Sequence, residues 1–158
     1  ENSKKFLNNK DNQYNIEHEF KLAIKYFPEY IDCDFHCAQE LTTFLIRVHR
    51  NELLKYIFEY PINITVDKQY YKYIKAIYYK NVSAIPILLE NKFNFIKLKK
   101  YHETFESVIQ YFISKNKKDI LNLLINNINQ IRQLYNLKDE DIDPVELELI
   151  KSFNDNFL

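Results

Sequence analysis

Apolar side chains recur along this chain at helical spacing, in short segments separated by polar residues. These segments are residues 41–48, 53–58, 70–79, 85–89, 105–113, 120–125 and 145–153. Two stretches between them, 61–66 and 92–98, alternate in polarity or carry β-branched residues, which favours an extended backbone. The pattern therefore predicts an all-α protein whose helices are joined by extended connectors.

The last predicted helix has the clearest start signal. Asp143 is a good N-cap, Pro144 suits the first helical position, and Glu146 follows three residues after the cap. The acidic residues 139–143 then gather at the positive end of the helix dipole. A calcium loop of the EF-hand type is the alternative for this acidic run, but it needs a glycine in mid-loop, and the chain has none.

An internal repeat underlies the helical pattern. Four apolar pairs recur at spacings of 31, 31 and 35 residues, and they are Tyr26-Phe27, Ile57-Phe58, Leu88-Leu89 and Leu123-Leu124. Five residues after the start of each pair, an apolar residue is followed by Asp or Asn, at 31–32, 62–63, 93–94 and 128–129. Another apolar helix precedes each of the last three pairs and ends in a polar turn. The repeating unit is thus helix, tight turn, helix and extended loop.

This unit resembles the ankyrin repeat, in which an inner helix, a glycine-containing turn and an outer helix ending in a Leu-Leu pair lead into a hairpin. The best match runs from Tyr73 to Asn94, and the resemblance covers most of residues 20–155. It implies a helical-repeat solenoid of stacked helix-turn-helix units with extended or hairpin loops, in a single domain spanning 1–158. The expected units lie near 14–34, 41–65, 70–96 and 105–130, with a C-terminal capping helix at 143–155. Tetratricopeptide or HEAT-like repeats are the alternative, and the β-branched connectors count against them.

The chain departs from the family at its turns, because it contains no glycine. The family's Thr-Pro-Leu-His start is also absent. A lysine or, in one unit, His49 occupies the inter-helix glycine position, and the neighbouring Asn81 and Asn116 can adopt the left-handed conformation better than most residues. Pro86 is expected in the first turn of an outer helix, with Ser83 as its N-cap.

At the start of each hairpin, the family's second glycine is replaced by a different residue in each unit. The replacements are Tyr30, Pro61, Lys92 and Asn127. A proline cannot reach positive φ, so the hairpin that begins at Pro61 must differ from the family's.

Composition argues against several classes of function. Without glycine the chain has neither a P-loop nor a dinucleotide-binding turn. With 22 basic and 22 acidic residues it lacks the basic excess typical of nucleic-acid binders. No apolar run reaches the ~18 residues needed to span a bilayer, so no membrane partner is expected. The abundance of Ile, Asn and Lys is typical of an AT-rich genome.

Two cysteines do not make a disulfide framework, which favours a reducing, intracellular and cytoplasmic location. The absence of Met suggests a fragment of a longer protein. Cys33, His36 and Cys37 offer thiolate and imidazole ligands for zinc, but a structural zinc site needs four ligands and no second pair exists. No catalytic triad spacing is present, so we expect no catalytic residue, no metal, no cofactor and no enzymatic activity.

A solenoid binds partners with the surface that its stacking leaves free. The resemblance places Phe44, Arg47, Lys75, Tyr78, Tyr79, Gln110 and Ser114 on the exposed side of the inner helices. It places Phe35, His36, Asp67, Lys68, Lys99 and Lys100 near the loop tips. Tyrosine and arginine are enriched in interface hot spots, so we expect a protein partner with an acidic and apolar segment. The alternatives are a substrate-targeting accessory domain of a larger enzyme or effector, and a helical-repeat nucleic-acid binder.

Overall fold

The computed structural model of the chain describes residues 18, 21, 22, 25, 37–60, 64–100 and 106–157. Contacts group the chain into two units, Glu1–Ile64 and Thr65–Leu158, and each is described by itself. Within the described residues the regular structure is helical, apart from one isolated β-bridge. This confirms the all-α prediction. None of the helices in these ranges is long and apolar enough to cross a membrane.

The described part of the first unit is a helical hairpin. Helix α1 (Cys37–Arg47) and helix α2 (Asn51–Ile57) contact each other across a short turn. Leu45, Leu54 and Ile57 are buried, because the apolar positions of both amphipathic helices face the same side.

The second unit contains two further helix pairs and a closing helix. Helix α3 (Val66–Tyr78) contacts α4 (Ala84–Glu90), and α5 (Val108–Ser114) contacts α6 (Lys118–Leu134). Helix α6 also contacts α4 and the last helix, α7 (Pro144–Phe157). Because α6 contacts α4, α5 and α7, it lies at the centre of this unit.

Five helix ends close with the same backbone motif although none has glycine. Positive φ angles of 50–59° occur two residues after the last residue of each helix, at His49, Lys80, Lys92, Asn116 and Asn136. Each of these residues donates its N–H to the carbonyl three residues earlier, and the next residue donates to the carbonyl five residues earlier, over 2.8–3.2 Å. This is the Schellman pattern, which satisfies the last carbonyls of a helix.

The structure corrects the turn prediction at Asn81. Lys80 takes the left-handed conformation instead, with φ of 57°. Asn81 is buried, and its N–H bonds to the Ala76 carbonyl at 2.8 Å. The predictions for Asn116 and for the His49 turn are confirmed.

The prediction that Asn127 starts a hairpin is wrong, because this residue lies inside α6. Helix α6 has 17 residues, whereas α4 has 7. The turn that Lys92 makes after α4 is therefore made after α6 by Asn136. Tyr30 and Pro61, the other two predicted hairpin starts, lie outside the described residues.

Pro86 lies in the first turn of α4, as predicted, because α4 begins at Ala84. Ser83 is the N-cap residue, but its side chain makes no capping hydrogen bond. Its backbone is already helical, with φ of −65° and ψ of −17°. The preceding turn closes through the Ala84 N–H, which donates to the Asn81 carbonyl at 3.1 Å.

The connector after α4, residues 92–98, forms no helix, and it is fixed at both ends. The Asn94 side chain bonds to the backbone N–H and C=O of Ile96 at 3.0 Å, and Asn94 donates its own N–H to Gln69 of α3. Further on, Leu98 forms an antiparallel bridge with Ile142. Residues 92–98 are thus tied to both α3 and the segment that precedes α7.

Helix α7 begins as its start signal predicts. Asp143 Oδ1 accepts the N–H groups of Val145 at 3.1 Å and of Glu146 at 3.3 Å. The Glu146 carboxylate does not accept a hydrogen bond from the Asp143 N–H, as it would in a capping box. It accepts instead the N–H of Lys97 at 3.3 Å and the hydroxyl of Ser107, the N-cap of α5. Burial of this carboxyl raises the pKa of Glu146 to about 7.

Candidate functional site

The most exposed aromatic cluster in the described residues lies on α3. Its members are Tyr71, Lys75, Tyr78 and Tyr79, and we call it the α3 aromatic face. The Lys75 ammonium lies 5.0 Å from the ring centroid of Tyr71, 5.7 Å from that of Tyr78 and 5.9 Å from that of Tyr79. Tyr78 is 73% exposed. The rings of Tyr78 and Tyr79 meet edge to face, with centroids 5.0 Å apart.

Helical spacing explains why these side chains share one side of α3. Tyr71 precedes Lys75 by four residues, and Tyr78 follows it by three, so all three are neighbours on the helix surface. Tyr70 and Tyr73 fall on the opposite side and are fully buried. The Tyr73 hydroxyl donates to the Phe93 carbonyl at 2.9 Å, which anchors α3 to the extended connector.

A row of lysines runs along α3 beside these rings. Lys68, Lys72 and Lys75 recur at intervals of four and three residues, and the Lys72 side chain is buried. Burial lowers the pKa of Lys72 to about 7, and the positive charges of Lys68 and Lys75 contribute to this shift. Lys68 and Lys75 therefore place positive charge on α3, whereas Lys72 is partly neutral near pH 7.

The remaining predicted partner-binding residues of the inner helices lie on α1 in the first unit and on α5 in the second unit. In the first unit, the Arg47 guanidinium lies 5.9 Å from the ring centroid of Phe44, and both side chains are half-buried on α1. In the second unit, Gln110 and Ser114 are exposed one turn apart on α5. The Ser114 hydroxyl donates to the Tyr111 carbonyl at 2.7 Å.

The predicted tip residues of the second unit do come together. Asp67 and Lys68 lie in the first turn of α3, and the Lys100 ammonium lies 3.3 Å from Asp67 Oδ1. Lys99 and Lys100 line a cleft of about 480 Å³ with residues 135–137 and 140–141. Phe35 and His36, the predicted tips of the first repeat, lie outside the described residues.

Two residues at these places were absent from the sequence prediction. Tyr71 belongs to the α3 aromatic face, and its position four residues before Lys75 is the signal that identifies it. Tyr135 lines the cleft and donates its hydroxyl to the Lys92 carbonyl at 2.6 Å. The sequence prediction ended the fourth unit near residue 130, so it did not place Tyr135 beside the connector.

The described residues contain no group of three or more Cys, His, Asp or Glu side chains that could hold a metal ion. Cys33 and His36 lie outside those residues, and nothing is described of the Cys37 side chain. The polar clusters described above are ion pairs and helix caps. An example is Asp139, which pairs with Arg132 and with Lys151, and these contacts lower the pKa of Asp139.

Comparison of the chain with protein-family models, curated proteins and solved structures found no match.

Proposed function

We propose that this chain is a non-catalytic protein–protein interaction module built from ankyrin-like helix pairs. Its partner contacts the exposed side of the inner helices, and the α3 aromatic face is the centre of the contact. Gln110 and Ser114 of α5 belong to the proposed contact of the second unit, and Phe44 and Arg47 of α1 belong to that of the first unit. The partner segment is part acidic and part apolar.

The recurrence of one turn motif between the paired helices supports the ankyrin-like part of this proposal. The turns after α1, α3 and α5 each have one left-handed residue at the same position and the same two hydrogen bonds. The outer helices α4 and α6 contact each other, as stacked repeats require. The difference in length between α4 and α6 means that the repeats are not identical.

The observation that carries the proposal is the exposure of Tyr78. A tyrosine that is 73% exposed contributes little to the core, whereas Tyr70 and Tyr73 on the same helix are fully buried. Tyrosine offers a large contact area with few rotatable bonds, and it is enriched among the residues that dominate binding energies. The edge-to-face contact with Tyr79 holds the Tyr78 ring in place before a partner arrives.

The charge of the same face supports an acidic partner. No carboxylate among the described residues lies within ion-pair distance of the Lys75 ammonium, which is held by three tyrosine rings instead. A carboxylate of the partner can reach this ammonium without breaking an ion pair. The rings beside it then pack on apolar side chains of the same segment.

The test is site-specific photo-crosslinking in the native cell followed by affinity measurement. A photoreactive phenylalanine analogue at position 78 captures proteins that touch this face. The purified partner is then titrated against wild type, Tyr78→Ala and Lys75→Ala. We expect each substitution to weaken binding by roughly tenfold or more, as for hot-spot residues.

Leu134→Ala is the matched control, because Leu134 is also an exposed large side chain, 52% exposed, but lies at the end of α6. It should bind the partner at wild-type strength. If the double variant Tyr78→Ala, Arg47→Ala keeps wild-type affinity for every captured protein, the proposed binding face is wrong.

A further inference from the structure

The cleft of about 480 Å³ in the second unit lies away from the centre of the α3 aromatic face and has its own lining. Three segments form it: the start of α3, residues 98–100, and residues 135–141. Val66, Leu98, Tyr135 and Leu137 supply an apolar lining. Its volume falls within the ~300–1,000 Å³ range of small-molecule sites, which are mostly apolar with a few placed polar groups.

Charges of opposite sign border the cleft on two different segments. Lys99 and Lys100 come from the extended connector, and Glu140 and Asp141 come from the turn before α7. The Lys99 N–H bonds to the Asp141 carbonyl at 2.8 Å, so the backbone holds these segments side by side.

Two of these four charges have no partner within the described ranges. Lys100 pairs with Asp67 at 3.3 Å, and Asp141 Oδ2 accepts the N–H of Lys138 at 2.9 Å. The Lys99 ammonium and the Glu140 carboxylate make no ion pair or side-chain hydrogen bond with any residue that the structure describes. Among the described residues, the cleft therefore offers one cation and one anion without a partner beside an apolar lining.

We propose that this cleft binds a short zwitterionic peptide of two or three apolar residues, with its carboxylate at Lys99 and its ammonium at Glu140. The formal charges of the lining cancel. A purely anionic ligand is therefore repelled by Glu140 and Asp141, and a purely cationic ligand is repelled by both lysines. A ligand with one charge of each sign satisfies both uncommitted groups. Its side chains cover the apolar surface of Leu98, Val66 and Leu137.

The experiment titrates the whole chain with dileucine and follows the backbone amide signals of Lys99 and Asn136 by NMR. Three blocked probes are compared with it: the N-acetylated, the C-amidated and the doubly blocked dipeptide. We expect a dissociation constant on the order of 1 mM for the free dipeptide, given its few heavy atoms. Each block removes one exposed ion pair and should weaken binding about two- to fivefold.

Charge variants assign each end of the ligand. Lys99→Gln should weaken binding of the free dipeptide and remove its advantage over the amidated probe. Glu140→Gln should remove its advantage over the acetylated probe. Lys117→Gln and Glu148→Gln are the matched controls, because both residues are exposed and neither lines the cleft. They should bind all four probes like wild type.

Three results would overturn the proposal: no shift of the cleft signals, equal affinity for all four probes, or sensitivity to only one of the two end groups. Tyr78→Ala should leave dipeptide binding unchanged. The proposal for the cleft and the proposal for the α3 aromatic face can therefore be refuted independently.

Discussion

At the scale of single residues, the most unusual feature is a set of left-handed residues that have side chains. The left-handed region costs an L-residue energy because its Cβ approaches the carbonyl oxygen, and asparagine tolerates it better than most. Asn116 and Asn136 fit this rule, and histidine, as at His49, is also enriched in this region, whereas Lys80 and Lys92 are exceptions. The two hydrogen bonds of each Schellman motif hold these two lysines in the disfavoured region.

Lys80→Gly should therefore stabilise the protein, although glycine usually destabilises. The φ of Lys80 is 57°, so glycine relieves the Cβ contact, and the gain exceeds the entropy that glycine adds to the unfolded chain. We expect the free energy of unfolding in urea to rise by roughly 0.5–1 kcal/mol.

Lys115→Gly is the matched control for this prediction. Lys115 is also an exposed lysine between two helices, but its φ is −87°. Glycine there should lower stability by about 0.5–1 kcal/mol. A loss of stability in Lys80→Gly as large as that in Lys115→Gly would contradict the strain argument.

At the scale of elements, Glu146 connects three parts of the second unit. It belongs to α7, accepts a hydrogen bond from the connector at Lys97, and accepts another from Ser107 at the start of α5. These bonds favour the charged carboxylate and lower its pKa, but burial has the larger effect, and the pKa rises to about 7. The protonated form of Glu146 is thus favoured in the folded state relative to the unfolded chain.

Stability should consequently fall as pH rises from about 4.5 to about 7. In this window the unfolded chain releases the Glu146 proton while the folded chain retains it, so the free energy of unfolding decreases with pH. The contribution of Glu146 is fully present below pH 4.5 and is lost above the folded pKa. The loss is on the order of 3 kcal/mol.

Urea unfolding at several pH values, in wild type and Glu146→Gln, measures this effect. The difference in unfolding free energy between the two proteins should shift in favour of the variant between pH 4.5 and 7, because glutamine stays neutral. Glu148→Gln, an exposed position on the same helix, should run parallel to wild type. A difference between Glu146→Gln and wild type that does not change with pH would refute the raised pKa.

At the scale of the whole molecule, the second unit contains its own stabilising contacts. Tyr73 packs edge to face on Phe95, with ring centroids 6.0 Å apart, and Leu98 pairs with Ile142. Ile128 and Ile131 of α6 are fully buried. These contacts all lie within residues 65–158.

We therefore expect residues 65–158 to fold without the first unit. The isolated segment should unfold cooperatively on heating, as followed by circular dichroism, because its core contacts do not require residues 1–64. It should also keep the difference in pH dependence between Glu146 and Glu146→Gln. A gradual, non-cooperative melt would mean that the second unit depends on the first.

Much of the local structure was predictable from the sequence. The segments with helical spacing from residue 41 onward correspond to α1–α7, and Asp143 and Pro86 stand where their preferences place them. Ser83 precedes α4 as predicted but makes no capping hydrogen bond. The least accurate prediction was the end of the fourth unit. Ile128 and Ile131 continue the apolar spacing of α6, but the prediction followed the repeat, which required a turn near Asn127.

The candidate site was predictable only in part. Lys75, Tyr78 and Tyr79 were predicted from the resemblance to the ankyrin repeat, which places them on the exposed side of an inner helix. The neighbours of Lys99 and Lys100 in the cleft were not predicted, because Val66, Tyr135 and Glu140 are distant from them in sequence. Their meeting depends on the Leu98–Ile142 bridge and on the Tyr135–Lys92 hydrogen bond, which have no local signal.

The sequence by itself determined where the helices form, the N-cap of α7 and the side of α3 that carries Tyr78. These features depend on spacings of a few residues, which act within one segment of chain. The tertiary structure decided where Glu146 directed its carboxylate. It also decided that the connector and the 135–141 turn border one cleft. Long-range packing made these choices, because each depends on which buried polar groups and apolar side chains find partners far along the chain.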